Sequence, residues 1–243
     1  MKITPIKTRP FLPPKDDIFD LLDQSIDQLQ EGDILFITSK VVAIHQGLCE
    51  KIEEVPNKDD LIKQEAQYSI DRSKCPGGYV VLTIKDGFLI PTSGIDESNS
   101  NGYYVLFPKD SSKIAKEICE YLKQKFKIQN LAVVITDSTS RPLKKGVTGF
   151  ATGFYGLKPL KSYIGQKDIF GREIKMSQLS IVDSLSSIAV MYMGEGDECT
   201  PFLKISNCSK VEFNQEETFK DYQIPLEDDI YYSVLKNFKK NAN

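Results

Sequence analysis

Leu131-Ala132-Val133-Val134-Ile135-Thr136, closed by Asp137 and the hydroxyl series Ser138-Thr139-Ser140, reads as a buried strand that delivers a carboxylate at its tip. A continuous apolar and β-branched run has no polar face, which suits a strand covered on both sides. Upstream, Asp110 is placed to cap a helix carrying Ile114, Ile118, Leu122 and Phe126 on one face. Further back, Asp16 or Asp17 caps a helix with Ile18, Leu21, Leu22, Ile26 and Leu29 at helical spacing, and Gly32-Asp33 breaks it. Ile34 to Thr38 follows as a short strand, and Lys40 to Ile44 is expected to continue as a second extended segment, with His45 a structural residue at its end. Residues 57–73 are charged and expected to be helical, whereas Tyr79 to Ile84 and Tyr103 to Phe107 read as strands.

Beyond Asp137 the texture changes. Between Asp137 and Arg172, Gly146, Gly149, Gly153, Gly156, Gly165 and Gly171 are interleaved with Arg141, Lys144, Lys145, Lys158, Lys161 and Lys167. Without clean periodicity this stretch is expected to be a functional loop region. Ser177 then starts a helix with Ile181, Leu185, Ile188 and Tyr192, ended by Gly194-Glu195-Gly196, before a strand from Phe202 to Ile205 and a last helix from about Glu227 to Lys239. Helices alternating with strands give an α+β (mixed α/β) fold. The 243 residues form one unit or two closely joined lobes, with no repeat, low-complexity tract or free linker between them.

Composition sets the outer limits. An apolar fraction of 40%, with 13 Phe and 11 Tyr, is enough for a sizeable core and excludes wholesale disorder. The formal net charge of −3 supplies no basic field to draw in a polyanion, so nucleic acid is not an expected partner. No apolar run approaches the ~20 residues of a membrane span, and the opening residues lack a signal-peptide core, so a cytoplasmic protein is expected. Cys49, Cys75, Cys119, Cys199 and Cys208 have no Cys-x-x-Cys pair and are read as buried or idle thiols. With His45 the single histidine, chemistry is expected to run on carboxylates, hydroxyls and cations.

Two acids stand out by position: Asp137 at its strand tip and Asp96 in the polar turn Ser93-Gly94-Ile95-Asp96-Glu97-Ser98-Asn99. Each reads either as a turn or cap residue, where Asp is favoured, or as an oxygen ligand for a hard divalent cation beside a phosphate. Gly194-Glu195-Gly196-Asp197-Glu198 is a third acidic turn, which simple helix C-capping would also explain. The cations from Arg141 to Arg172 are either solvated surface or a clamp for phosphates and carboxylates. No Gly-x-x-x-x-Gly-Lys-Ser/Thr occurs, so a P-loop is absent.

Taken in order, Gly32-Asp33-Ile34-Leu35 into Thr38-Ser39-Lys40-Val41-Val42, Gly94 to Asn99, Ile135-Thr136-Asp137-Ser138 with Arg141 and Gly146, Gly165 to Arg172, and Met193 to Gly196 resemble the γ-glutamyl ligases that lengthen the deazaflavin coenzyme F420. Lys63-Gln64-Glu65, Leu82 to Gly87, and Ile95 to Asn99 followed by Gly102 are similar to a bacterial branch of that family assigned to folate metabolism. The resemblance implies an α/β fold peculiar to the family and an intertwined homodimer. The implied activity is a GTP-dependent ligase, with ATP as alternative nucleotide, that adds L-glutamate to a pterin or deazaflavin acceptor with Mg²⁺ or Mn²⁺. It places Asp96 and Asp137 at a first metal, Ser138 and Glu195 at a second, and Arg9, Pro10, Phe11, Leu12, Ser39, Lys40, Asn99, Gly194, Glu195, Gly196, Asp197 and Pro201 around the guanine nucleotide. Arg141 and Arg172 are assigned with Asp96 and Asp137 to catalysis, holding substrate carboxylates. Ile44 stands where the family carries a nucleotide-binding lysine. A metal-dependent phosphatase or nucleotide hydrolase, and a binding protein without turnover, are the competing readings.

Overall fold

A computed structural model describes residues 1–241. In chain order the first elements are β1 (Lys2–Ile6), α1 (Ile18–Ser25), β2 (Asp33–Thr38), α2 (Ser39–His45), β3 (Cys49–Lys51), α3 (Lys58–Glu65) and β4 (Tyr68–Ile70). Then come β5 (Leu82–Lys85), β6 (Phe88–Pro91), β7 (Tyr103–Val105), α4 (Ser111–Phe126), β8 (Leu131–Ser140) and β9 (Val147–Tyr155). The chain closes with β10 (Leu160–Ser162), β11 (Gln178–Ser180), α5 (Ile181–Met193), β12 (Phe202–Ser206), α6 (Phe219–Tyr222), α7 (Tyr232–Leu235) and β13 (Lys239–Lys240). The fold is α+β, as the alternation implies.

Its centre is a mixed sheet in the order β1-β12-β2-β8-β9, in which β2 and β8 run parallel and the other neighbours antiparallel. One face, with Leu35, Ile37, Val133 and Ile135, is covered by α1 and α4 through Leu21, Leu22, Ile118 and Leu122. The other, with Ile34, Phe36, Ala132 and Val134, is covered by α5 through Val182, Leu185 and Ala189. The continuous apolar run from Leu131 to Thr136 is thus explained by cover on both sides. A second sheet, β13-β4-β5-β6, and the β3–β7 pair carry their own apolar cluster around Ile62, Val81, Ile95, Tyr104 and Leu106. Among the described residues no helix is long and apolar enough to cross a membrane.

Several expectations are corrected. Lys40 to Ile44 is helix, not strand, because α2 sends Val41 and Val42 into the main core and Ala43 and Ile44 toward Val105, a burial that overrides β-branched propensity. His45 closes this helix, and its Nδ1 accepts the Ile18 N–H at 3.2 Å, so its structural role stands. The first helix stops at Ser25, although Ile26 and Leu29 are still buried. The charged stretch is helical only to Glu65 and then turns into β4. The first expected strand begins at Leu82 rather than Tyr79, and the second stops at Val105. Ser180, not Ser177, caps α5, accepting from the Asp183 N–H. The C-terminal helix is broken: the Asp229 carboxylate accepts the Tyr231 N–H at 2.7 Å, and only the short α7 follows before β13 pairs with β4. Part of the Gly-rich stretch is strand rather than loop. β8 runs on to Ser140, and β9 is a buried strand whose glycines make room for helices: a Cβ on Gly149 would lie 2.3 Å from the Ser186 carbonyl oxygen.

Candidate active site

Sheet register decides which loops meet. Thr38 and Thr136 are partners at the ends of the parallel pair β2–β8, so the next residues, Ser39 and Asp137, emerge side by side. β12 enters the sheet antiparallel at the same edge, with Thr38 N–H donating to the Pro201 carbonyl at 3.0 Å. β1 leaves there too, and Thr8 N–H donates to the Cys199 carbonyl at 2.9 Å. In open mixed sheets ligands gather at such strand ends. The turn after β6 closes the space from the second sheet, fixed by the reciprocal backbone bonds of Asp96 and Val105 at 3.0 and 2.8 Å. Between these segments lies a cavity of about 870 Å³.

Asp96, Asp137, Ser138 and Glu195 all line this cavity, and so do Arg9 to Leu12, Ser39, Lys40, Asn99, Gly194, Gly196, Asp197 and Pro201. Asp137 Oδ2 accepts the Ser39 hydroxyl at 2.6 Å, and Oδ1 accepts the Ser138 N–H at 2.7 Å. Burial pushes its carboxyl up to about 6; those two donors oppose the rise, and Asp96 and Glu195 add to it. Asp96 meets the opposite outcome. Burial works to raise it, but Lys40, 2.7 Å from Oδ2, and the Ser98 N–H and hydroxyl hold it below the usual carboxylate range. Ser138 Oγ donates to Glu195 Oε2 at 3.2 Å, and Asn99 Nδ2 donates to the Gly196 carbonyl at 2.7 Å, tying the polar turn to the acidic one. Arg9 spends its guanidinium on Asp16 at 2.6 and 2.9 Å, so its side chain shapes the cavity wall and holds the Asp16 carboxyl down at about 2.

Among the described residues no three His, Cys, Asp or Glu side chains converge into a ready-made metal cage. The residues nonetheless fit a hard divalent cation: Asp137 is a shielded carboxylate with no cation on it among the described residues, and its neighbours offer carboxylate and hydroxyl oxygens.

A family model described as F420-0:γ-glutamyl ligase matches residues 6–207, which include every segment around the cavity. The chain belongs to that family. It is an amide-forming ligase. Among curated relatives it is 29% identical to the coenzyme F420:L-glutamate ligase of Methanopyrus kandleri, over 83% of this chain and 84% of that protein. It is 30% identical to the namesake of Methanocaldococcus jannaschii, over 84% of this chain and 86% of the relative. With that of Methanosarcina barkeri it is 28% identical over 98% and 97%.

Not every residue expected in this ligase site reaches it. Arg141 sits in the exposed turn after β8, because that strand continues past Asp137 instead of ending there. Arg172 lies in the exposed loop between β10 and β11, its N–H held by Asp168 Oδ1 at 2.9 Å. Neither lines the cavity within one chain. Ile44, where the resemblance implies a lysine, does reach the wall but is 2% exposed and packed on Val105, so the cation that this helix brings to the cavity is Lys40, one turn earlier. Cys199 departs from the buried expectation and is exposed at the cavity wall, whereas burial pushes the Cys49 and Cys119 thiols up to about 11 and about 12. The residue that sequence reasoning passed over is Ser98, whose N–H and hydroxyl both bind Asp96. Asp followed two residues later by Ser in a turn was the readable signal.

Proposed function

We propose that this protein joins L-glutamate to a carboxylate of a deazaflavin acceptor, driven by GTP, with ATP the alternative nucleotide. The observation that carries the reading is the convergence of Ser39, Lys40, Asp96, Asp137 and Glu195 on one cavity in a member of this family. The acceptor carboxylate oxygen would attack the γ-phosphorus and release the diphosphate nucleotide. The glutamate amine would then attack the acyl carbon, lose its proton, and expel phosphate. Asp96, Asp137, Ser138 and Glu195 would hold Mg²⁺ or Mn²⁺, which when bound offsets the phosphates' negative charge. Lys40, on the first turn of α2, would supply the protein's own positive charge to the nucleotide, and Ser39 keeps Asp137 oriented from below. The second reading is a folate-type acceptor, favoured by Lys63-Gln64-Glu65 and Leu82 to Gly87. Mass spectrometry after incubation with labelled glutamate, GTP or ATP, Mn²⁺ and each acceptor should show one acceptor gaining glutamate in step with diphosphate release. Nucleotide hydrolysis at full rate without glutamate, and no glutamylated product, would establish a hydrolase instead.

We also propose a homodimer. The β10–β11 hairpin and its loop expose Ile169 (92%), Phe170 (89%) and Met176 (83%), a concentration of apolar surface that a solvated loop tip does not ordinarily carry. Light scattering should give twice the chain mass, and Ile169→Asp with Phe170→Asp should give a monomer. A wild-type monomer at about micromolar concentration would refute it.

A further inference from the structure

Asp96 and Asp137, two of the aspartates that line the cavity, stand in opposite electrostatic states. Asp137 has only neutral donors, the Ser39 hydroxyl and the Ser138 N–H. Asp96 already has a cation: Lys40 Nζ lies 2.7 Å from Oδ2, and the same ammonium donates to the Ser98 carbonyl at 2.7 Å and to Ser98 Oγ at 3.3 Å. These three partners use all three ammonium hydrogens. Ser98, through its N–H and hydroxyl, occupies the other carboxylate oxygen. In this arrangement Asp96 offers an incoming divalent cation no free charge.

We propose that Lys40 is the resident counter-cation of Asp96, and that a divalent metal takes this carboxylate only once the nucleotide's phosphates draw Lys40 away. The proposal rests on the reading of Asp96 as a metal ligand and adds to it an order of loading. An ammonium and a divalent ion cannot share Oδ2 at contact distance without strong repulsion in a partly desolvated cavity. Lys40 can leave, because its side chain is 23% exposed on a helix at the rim and its four-carbon stem rotates freely. Phosphates provide the alternative partner. The protein therefore binds metal weakly alone and well with nucleotide, and by reciprocity the metal tightens nucleotide binding by the same factor. An ordinary rim ion pair would have no such consequence, since its loss changes little.

The test is Mn²⁺ binding, read from the free-ion electron paramagnetic resonance signal, with and without saturating GDP, which avoids turnover. Without GDP, Lys40→Met and Lys40→Gln should bind Mn²⁺ on the order of tenfold more tightly than wild type. GDP should tighten wild type far more than either variant. Lys40→Arg, which keeps the charge, should behave as wild type, and adding Asp96→Asn to Lys40→Met should abolish the gain. Wild type that binds Mn²⁺ with GDP, beside Lys40 variants no tighter than wild type without it, overturns the role of Lys40 and leaves the metal reading standing. Failure of every form to bind Mn²⁺, with or without GDP, overturns both.

Discussion

Asp137→Asn should yield a protein that is harder to unfold and unable to ligate. The carboxyl is pushed up to about 6, first by burial at the end of the β2–β8 pair and then by Asp96 and Glu195. The sign follows from the direction of that shift. A carboxyl whose folded pKa exceeds the unfolded value of about 4 stabilises the native state fully below pH 4, and that contribution is lost as pH rises through about 6. Near pH 7.5 the ionised group is therefore a cost on the order of 2 kcal/mol, which asparagine removes while its one amide oxygen accepts the Ser138 N–H and its NH₂ donates to the Ser39 hydroxyl, which turns to accept. For a chain of this size the midpoint should rise by about 4–8 °C at neutral pH, and by almost nothing near pH 4. Activity should fall by about a thousandfold or more, because the charge that resists folding is the one the site uses. Melting curves of both proteins between about pH 4 and 8 check this; curves that stay parallel throughout would mean that Asp137 carries no such strain. With GDP present, Mn²⁺ should raise the wild-type midpoint further by mass action and leave the asparagine variant where it is.

What could be read from residues alone was local. Leu131 to Thr136 has only one interpretation that satisfies its burial, and the Asp96 turn announces itself by its own polarity. The meeting of Ser39 with Asp137 was not legible, because it depends on the register Thr38↔Thr136 between strands almost a hundred residues apart. α2 misleads for a related reason. Val41-Val42-Ala43-Ile44 favours strand by propensity, and only the two separate apolar surfaces that receive its two faces make it a helix. The order of motifs shared with the ligases located the cavity wall, since Arg9 to Leu12, Lys40, Asn99 and the Gly194 to Pro201 turn all border one space. Within one chain Arg141 and Arg172 lie outside that space, because the chain builds a strand, a turn and a separate hairpin where glycine and cation content reads as one loop.

Those glycines carry the second large effect. Gly149 lies on β9 opposite Ser138 and directly beneath α5. A Cβ there would stand 2.3 Å from the Ser186 carbonyl oxygen, 2.7 Å from its carbon and 2.8 Å from Val190 Cγ2. The first two contacts are backbone, so no rotamer relieves them and the helix itself must move. Ser187 Oγ donates to the Gly149 carbonyl at 2.9 Å and also meets Thr148 Oγ1 at 2.9 Å, and both bonds stretch if α5 lifts. Overpacking of this kind costs about 1–3 kcal/mol, and each weakened hydrogen bond adds about 1, so Gly149→Ala should lose on the order of 3–5 kcal/mol. The site should feel the same displacement. α5 ends at Met193 and passes straight into Gly194 and Glu195, whose carboxylate meets Ser138 across the cavity. A helix pushed off β9 carries Glu195 away from the strand that holds Ser138 and Asp137, and activity should fall more steeply than the folded fraction does. Gly146→Ala supplies the contrast: its φ of +87° strains an alanine, but nothing lies within 4 Å of the added Cβ, so it should cost only about 1 kcal/mol. Urea unfolding of the two variants beside wild type, with activity per folded molecule, separates the cases. Equal losses would show that α5 yields without resistance, and that Gly149 serves backbone freedom rather than close approach.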